Sequence, residues 1–291
     1  MRTAILIVSV LMPLVTMGQQ RGDLPSPWNC VSNLTPDQIR MIAATIQRHT
    51  NELETARQNV AQGRAAHLQR IGAEDLRGPD IRHWTQQAVR SQRLLQRNEI
   101  VRMLMPNQFL LADVCYSNTT RSVEIEDFAV AKVRQQEAVW CWAAGIQAVF
   151  KYGGINLNQE DIVENLKGKV VWETATGAEI NSALNRTHFS PNPRNDWSSM
   201  CQYTNRFTDQ PRLIFSLDFG RPMLAALDGR HVVIVHKASF HETLSSGSRL
   251  LTAVTLYDPE TGQDIELASK NFTRISDLWF PVATAGPMRT F

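Results

Sequence analysis

The amino-acid sequence predicts an α+β protein, with helices in the first half of the chain and antiparallel strands in the second half. Apolar residues recur at helical spacing between Thr35 and Pro106, whereas short apolar runs separated by turn residues extend from Leu213 to Asp258. Of the 291 residues, 43% are hydrophobic and 20% are charged, which is typical of a globular protein rather than a disordered one.

The first residues have the pattern of a secretory signal peptide. A positive start at Arg2 precedes the apolar run from Ala4 to Val15, and Thr16-Met17-Gly18 resembles a small-residue cleavage site. We therefore expect residues 1–18 to be removed, leaving a secreted or periplasmic protein with no stable membrane insertion. An uncleaved anchor is the alternative, although Pro13 interrupts a run that is already short for a spanning helix.

After this segment two long helices are predicted, which would form a helical hairpin within residues 19–122. Thr35-Pro36 resembles an N-cap followed by proline at the first helical position, and Gly72 to Pro79 breaks the helical pattern. A second helix is expected from Asp80 to Leu104, followed by an irregular connector over residues 107–122. The hairpin is rich in arginine and has no lysine, which indicates a solvated face or, alternatively, a docking surface for an acidic partner.

The second half of the chain is expected to form a separate domain over residues 123–291. Asn158 and Thr176 each resemble the N-cap of a short helix, and residues 190–208 have the composition of a loop. Four strands are predicted after this loop: Leu213 to Leu217, Met223 to Leu227, His231 to Ala238, and Leu250 to Asp258.

The cysteines indicate a disulfide rather than a metal site. Cys30, Cys115, Cys141 and Cys201 show no Cys-X-X-Cys or cysteine–histidine spacing of the kind that binds zinc. In an oxidising compartment we expect cysteines to form disulfides, and four cysteines permit three complete pairings. We expect Cys30 to pair with Cys115, because both flank the helical region. The net charge of +2 is too small to indicate a nucleic-acid partner. No metal or cofactor is expected either, because no metal-ligand spacing is present.

The stretch from Gln135 to Ala144 has the properties of a nucleophilic site. Cys141 would begin a helix, since apolar residues follow at helical spacing up to Phe150 and Gly153-Gly154 ends the pattern. The unpaired N–H groups and the dipole at a helix start stabilise an anion, which favours the thiolate form of a cysteine. The thiolate is the form that attacks a carbonyl carbon.

A nucleophilic cysteine needs a base and a group that orients the base, and His231 and Asp258 are the candidates. His231 opens an apolar strand and Asp258 ends the strand that follows, so a hairpin would bring them together. A structural role for His231 and orientation by Asp228 are the alternatives. His236 would face the other side of its strand, and His241 would lie in the next loop.

An oxyanion formed from the attacked carbonyl would need hydrogen-bond donors close to it. The backbone N–H of Cys141, at the start of the helix, is one candidate donor. The side-chain amide of Gln135 is the second candidate, and Gln136 is the alternative to it.

Together these residues resemble those of a known family, the papain-like cysteine proteases. Gln135, six residues before Cys141, and the sequence Cys-Trp-Ala-Ala are similar to the active-site helix of that family. This form most resembles the bacterial branches, which include bacteriocin-leader peptidases and secreted effector proteases of plant pathogens. The His-Val-Val-Ile-Val and Tyr-Asp-Pro strands follow in the family's order of cysteine, histidine and aspartate or asparagine, and the likeness covers about residues 126–285.

The resemblance implies a papain-like, two-lobed fold, with Cys141 on a helical lobe and with His231 and Asp258 on an antiparallel sheet lobe. An extended protein or peptide substrate would lie in the cleft between the lobes and be cleaved by a secreted cysteine peptidase. The N-terminal hairpin would bind a partner or cover the cleft. Residues 138–140 and Arg230 depart from those common in plant and animal members, which bears on substrate preference.

Two other functions are open to the same residues. A Cys-His-Asp set would also serve an acyl transferase or a cell-wall amidase. A catalytically inactive papain-like domain would instead act as a binding module, with the arginine-rich hairpin as its contact surface. Failure of a thiol reagent to label Cys141 would favour the binding module.

Overall fold

A computed structural model of the protein describes residues 24–25, 28–71, 78–125, 127–188, 196–205, 207 and 210–285. Within these ranges the fold is α+β with an antiparallel sheet, as the sequence predicts. The expected signal segment, residues 1–18, lies outside the described residues. Across the ranges that are described, none of the helices combines the length and the apolar character needed to cross a membrane.

Among the described residues of the N-terminal part, three α-helices are present: α1 (Pro36–Ile71), α2 (Gly78–Arg102) and α3 (Pro106–Asn118). The expectation of an irregular connector over residues 107–122 is wrong, because α3 occupies most of it. Pro106 stands at the start of α3, where a proline is tolerated because the first N–H groups of a helix have no partner within it. The side chain of Gln108 also accepts a hydrogen bond from the backbone N–H of Met105, at 2.9 Å.

The N-terminal helices have a hydrophobic cluster of their own. A disulfide joins Cys30 to Cys115, with a Cα–Cα distance of 6.4 Å, so the predicted pairing is confirmed. The buried residues of the cluster are Leu24, Trp28, Val31, Ile39, Ile42, Ile100, Ala112, Tyr116 and Leu244. Leu244 is distant in the sequence from the other residues of the cluster. Asp113 holds it in place, because Oδ1 of Asp113 accepts hydrogen bonds from the backbone N–H groups of Leu244 and Ser245 at 2.6 and 3.2 Å.

The described residues of the second half of the chain form four further helices: α4 (Cys141–Tyr152), α5 (Gln159–Lys167), α6 (Gly177–Leu184) and α7 (Gln210–Asp218). The side chains of Asn158 and Thr176 cap α5 and α6, as predicted. The predicted strand from Leu213 to Leu217 is wrong, because this segment lies in α7. Its buried residues Leu213, Ile214 and Leu217 follow helical spacing, which places them on one face of a helix.

In the part of the chain that the structure describes, eight strands form one antiparallel sheet. They are β1 (Arg121–Glu124), β2 (Arg186–His188), β3 (Trp197–Thr204), β4 (Met223–Leu227), β5 (His231–Glu242), β6 (Arg249–Asp258), β7 (Gln263–Ala268) and β8 (Ile275–Ala285). Their order is β2-β3-β8-β4-β5-β6-β7, and β1 pairs with β5. Two expectations are corrected: β3 lies within the region predicted to be a loop, and His241 lies in β5 rather than in the loop that follows it.

Helix α4 packs directly against the centre of this sheet. Helix α4 contacts strands β4, β5 and β8, and its residues Trp142, Ile146 and Phe150 are buried in the main hydrophobic cluster. Gly145 allows the close approach, since a Cβ atom there would lie 3.1 Å from side-chain atoms of both Leu224 and Val232. The first residue of α4 therefore lies beside the first residues of β5.

Candidate active site

Cys141 is the first residue of α4 and has a free thiol. It is 9% exposed and is flanked by two buried tryptophans, Trp140 and Trp142. The indole N–H groups of these tryptophans donate hydrogen bonds to the carbonyls of Val171 (2.9 Å) and Glu173 (3.2 Å). Both anchors fix the start of α4, so the position of the thiol is determined by the packing around it.

The imidazole of His231 lies between Cys141 and Asp258. His231 forms a side-chain hydrogen bond with the thiol of Cys141, and its Nε2 lies 2.6 Å from Oδ1 of Asp258. Because Nε2 is engaged by the carboxylate, Nδ1 is the ring nitrogen that remains for the thiol. The Cys141 sulfur also accepts a hydrogen bond from the backbone N–H of Val232, at 3.5 Å. The structure thus brings the three predicted residues into one hydrogen-bonded chain.

Asp258 is itself held by the turn that follows β6. The residue is 5% exposed, its Oδ1 accepts the backbone N–H of Glu260 at 2.8 Å, and its Oδ2 accepts the hydroxyl of Thr261 at 2.9 Å. Burial alone would raise the pKa of Asp258, but the hydrogen bonds from His231, Glu260 and Thr261 together lower it. Asp258 is therefore a fixed carboxylate with a definite orientation.

The same contacts stabilise the protonated form of His231. Its hydrogen bond with Cys141 is the largest of the effects that raise the pKa of His231 to about 9. Burial opposes this rise, and the hydrogen bond with Asp258 adds to it. An imidazolium that persists at neutral pH is the partner that a thiolate requires.

The alternative residues are engaged elsewhere. Asp228 has a left-handed backbone (φ 52°) and pairs with Arg274 at 2.7 Å rather than with His231. The ring of His236 stacks on Phe128, with 4.9 Å between centroids, and its Nε2 lies 3.1 Å from Oδ1 of Asp264. Among the described residues, Asp258 is thus the aspartate that contacts the imidazole of His231.

Gln135 lies in the loop before Cys141, and this loop is tied to the Asp258 turn. Its backbone N–H donates to the carbonyl of Pro259 at 2.9 Å, and its side-chain Nε2 donates to the carbonyl of Ala138 at 3.1 Å. A primary amide carries two N–H donors, so one remains when the other is bound to Ala138. The side-chain amide of Gln135 is thereby held within its own loop.

Comparison with known proteins agrees with this geometry. The profile of the papain-like cysteine protease AvrRpt2 family matches residues 123–276, just over half of the chain. The chain belongs to that family. The resemblance drawn from the cysteine motif is therefore confirmed, and the protein is a cysteine-type peptidase with a papain-like α+β domain. No curated protein matches the chain.

One residue of this papain-like protease was not identified from its sequence. Gln159, the first residue of α5, is 1% exposed. Its Oε1 accepts the backbone N–H of Gln136 at 2.9 Å, and its Nε2 donates to the carbonyl of Arg134 at 2.8 Å. Gln159 therefore holds the backbone on both sides of Gln135. No local sequence pattern around Gln159 predicts this role, because the residues that it contacts are distant in the sequence.

The turn after Asp258 also holds the loop of Gln135 from the other side. One guanidinium nitrogen of Arg134 donates to the carbonyl of Glu260 at 3.0 Å. Gly262 in the same turn has φ 73°, and a Cβ atom added there would lie 3.1 Å from Cδ of Arg134. The loop before the nucleophile and the turn after the aspartate are thus packed against each other.

Among the described residues, one group of side chains in the protease has a spacing suited to a metal ion. His231, Asp258 and Glu260 each offer a ligand atom, and these atoms lie within 4.8 Å of one another. Two of these three side chains, His231 and Asp258, are already joined to each other by a 2.6 Å hydrogen bond. Glu260 is largely exposed and lies 4.0 Å from Nδ1 of His231.

Proposed function

We propose that this cysteine peptidase is secreted and cleaves peptide bonds in protein or peptide substrates through Cys141, His231 and Asp258. The observation that carries the proposal is the hydrogen-bonded chain from the thiol of Cys141 through His231 to the buried carboxylate of Asp258. Secretion to the cell exterior or periplasm is supported by the signal-like pattern of residues 1–18.

In the first half of the reaction, the thiolate of Cys141 attacks the carbonyl carbon of the scissile peptide bond. A carbon–sulfur bond forms, and the electron pair of the carbonyl moves to its oxygen. The backbone N–H of Cys141 and the free N–H of the Gln135 side chain donate hydrogen bonds to that oxyanion. When the carbon–nitrogen bond breaks, the imidazolium of His231 gives its proton to the departing amine, and an acyl-enzyme remains.

In the second half, neutral His231 removes a proton from a water molecule, and the hydroxide attacks the acyl carbon. The carbon–sulfur bond breaks, the carboxylic acid leaves, and the Cys141 thiolate and the His231 imidazolium are restored. Asp258 keeps the imidazole in the orientation that both halves need, and it does not exchange a proton itself.

Three units are proposed along the chain. Residues 1–18 are the signal, residues 19–122 are the N-terminal helical region, and residues 123–291 are the protease domain. Separate hydrophobic clusters for the N-terminal helices and for the sheet with α4 support the division. Leu244 is the residue of the proposed protease domain that enters the N-terminal cluster.

Substitution of the nucleophile tests the proposed activity. We expect Cys141→Ala and Cys141→Ser to abolish cleavage of an unfolded protein substrate while the circular dichroism spectrum is unchanged. Cys201→Ser is the matched control, because it removes the other free thiol and should leave cleavage intact. Full residual cleavage by Cys141→Ala would refute the assignment of the nucleophile.

Secretion is tested separately by the mass of the extracellular protein. A mature chain that begins near Gln19 is expected after export from the native host. Protein that stays in the cell with residues 1–18 still attached would contradict the proposed location without affecting the proposed chemistry.

A further inference from the structure

A cleft lies between the N-terminal helices and the sheet, away from the candidate active site. Its volume is about 480 Å³, and its lining includes residues of α2, α3, α7, β1, β5 and β6, but not Cys141, His231 or Asp258. Five arginines of the described ranges line the cleft: Arg90, Arg93, Arg97, Arg121 and Arg249. No role in the proposed reaction accounts for this concentration of guanidinium groups.

The lining has an excess of positive charge. Among the described residues Asp218 and Glu242 are its acidic members, so five guanidinium groups of this part of the chain face two carboxylates. Arg249 donates to Glu242 at 3.0 Å and also pairs with Asp218. Arg97 lies 3.5 Å from Glu242, and Arg90 lies 3.7 Å from Asp218. Three arginines therefore share two acids, and three positive charges remain in excess.

Arg121 is the least satisfied of the five arginines. Its guanidinium lies over the ring of Tyr116, 3.4 Å from the centroid, and its Nε and one Nη are buried without a hydrogen-bond acceptor among the described residues. Burial, together with repulsion from Arg93 and Arg97, lowers the pKa of Arg121. Buried donors without an acceptor reduce the stability of the folded protein. An anion in the cleft would remove that loss of stability.

Arg93 is placed to complete such a site. It is exposed at the edge of the cleft on α2, and within the described ranges no carboxylate forms an ion pair with it. Arg90, Arg93 and Arg97 come from α2, whereas Arg121 and Arg249 come from β1 and β6. An anion that contacts both groups would bridge the N-terminal helices and the sheet.

We propose that this cleft binds a compact polyphosphate anion that joins α2 to the sheet. The planar guanidinium fork matches two oxygens of a phosphate, which makes arginine the preferred residue for such groups. A single phosphate group carries a charge of about −1.5 to −2 at neutral pH, less than the excess of three positive charges. Two or three linked phosphates match this charge.

Binding of inorganic polyphosphates to the full chain tests the site. Isothermal titration at physiological salt should give saturable binding of tripolyphosphate with one site per chain, and weaker binding of orthophosphate. Ligand that binds only the folded protein also raises the midpoint of thermal unfolding. Arg93→Met and Arg121→Met should each weaken the affinity roughly tenfold to a hundredfold, as expected for the loss of a charged hydrogen bond.

Two variants protect the test from a folding artefact. Arg93 is exposed, so Arg93→Met should fold normally even if Arg121→Met does not. Arg40→Met is the matched control, because Arg40 is an exposed arginine of α1 that pairs with Asp37 outside the cleft. The control should bind tripolyphosphate like the unchanged protein.

Several results would overturn the proposal. One is the absence of saturable tripolyphosphate binding, and another is orthophosphate that binds as tightly as tripolyphosphate does. Equal affinity of Arg93→Met, Arg121→Met and Arg40→Met for tripolyphosphate would also contradict it, as would binding of an oligoglutamate peptide in place of tripolyphosphate. Sedimentation with vesicles of phosphatidylcholine, with and without phosphatidylinositol bisphosphate, distinguishes the source of the anion. Sedimentation that depends on Arg93 would support a lipid headgroup as the source, and tripolyphosphate binding without sedimentation would support a free ligand.

Discussion

His231 begins β5 and Asp258 ends β6, and the antiparallel pairing of these strands places Nε2 of the imidazole 2.6 Å from Oδ1 of the carboxylate. The orientation of the imidazole is therefore fixed by the sheet and not by a flexible loop. Because the hydrogen bond joins an imidazolium to a carboxylate, its contribution should be larger than that of a neutral hydrogen bond.

Substitution of Asp258 should separate its charge from its shape. Asp258→Asn keeps an oxygen acceptor but loses the charge. We expect this loss to raise the activation free energy by about 1 kcal/mol, which corresponds to roughly a fivefold to tenfold fall in kcat/KM. Asp258→Ala also loses the orientation and should cost roughly tenfold to a hundredfold. The measurement is steady-state cleavage of a fluorogenic peptide.

Asp228→Asn is the matched control for Asp258→Asn. Asp228 pairs with Arg274 and has φ 52°, a left-handed conformation that asparagine also tolerates. Its substitution should leave kcat/KM unchanged. A larger loss from Asp228→Asn than from Asp258→Asn would contradict the assigned orienting residue.

The pH dependence should show an alkaline limb set by His231. Its pKa is raised from 6.5 to about 9, so the imidazolium and its pairing with the thiolate should persist until pH approaches about 9. The stability gained from this protonation is fully present below pH 6.5 and is lost as pH rises through about 9. Measurement of kcat/KM against pH should therefore show activity that declines near that upper value.

Asp258→Asn should move this alkaline limb to lower pH, because the hydrogen bond and the charge of Asp258 both raise the pKa of His231. The Asp228→Asn variant should keep the limb in place. An alkaline limb that is the same in Asp258→Asn and in the unchanged protein would assign it to a group other than His231.

Gln159 should affect the rate through the loop that carries Gln135. Gln159→Leu removes the hydrogen bonds to Arg134 and Gln136. We expect kcat to fall roughly tenfold to a hundredfold with little change in KM, less than the hundredfold to thousandfold that follows the loss of an oxyanion donor. An aldehyde inhibitor, whose adduct carries an oxyanion, should bind more weakly, whereas iodoacetamide should alkylate Cys141 at the original rate.

A double variant distinguishes positioning from general damage to the fold. If Gln159 acts through Gln135, then Gln135→Ala combined with Gln159→Leu should cost no more than Gln135→Ala alone. Additive losses, or slower alkylation by iodoacetamide, would point to a structural defect instead.

Gly262 and Gly247 form a matched pair for the turn after Asp258. Both have a left-handed backbone, with φ 73° and 66°, so alanine at either position should cost about 1–2 kcal/mol of unfolding free energy. Gly262→Ala places its Cβ atom 3.1 Å from Cδ of Arg134, whereas a Cβ atom added at Gly247 would meet no other atom within 4 Å. Urea unfolding should show similar losses for both, and kcat/KM should fall in Gly262→Ala alone. Equal activities of the two variants would argue against coupling between this turn and the Gln135 loop.

Thiol labelling should be selective for one of the two free cysteines. Burial raises the pKa of Cys201 to about 12, so its thiol stays protonated at neutral pH. Iodoacetamide reacts with the thiolate form, and peptide mass spectrometry should therefore find the adduct on Cys141. Labelling of Cys201 at the same rate as Cys141 would contradict this expectation.

Prediction of the fold from the sequence succeeded where an element depends on a local sequence pattern. It failed where an element depends on partners that are distant in the sequence. Helices α5 and α6 were found because Asn158 and Thr176 are strong caps. The apolar run in α7 is too short for its period to distinguish a helix from a strand. Half of the residues of strand β3 are polar, and its Met200 is 70% exposed, so it has no clear alternation of buried and exposed side chains. The strand forms because its backbone pairs with β2 and β8.

The candidate site shows the same contrast. The types and order of Cys141, His231 and Asp258 could be read from the sequence, because each lies at the start or end of a helix or strand. Gln159 could not be read in this way, since its effect depends on a backbone carbonyl and a backbone N–H more than twenty residues away. Hydrogen bonds of a side chain to distant backbone leave no periodic signal.

The position of Leu244 has a consequence for how the protein unfolds. The N-terminal helices bury Leu244 at the tip of the β5–β6 hairpin, and β5 runs from that tip to His231. Detachment of the helices would expose a leucine whose burial contributes roughly 1.5–3 kcal/mol. It would also release the backbone N–H groups of Leu244 and Ser245 from Asp113. The helices and the sheet should therefore melt in one cooperative transition, and a proteolytic cut between them would leave two fragments that still adhere.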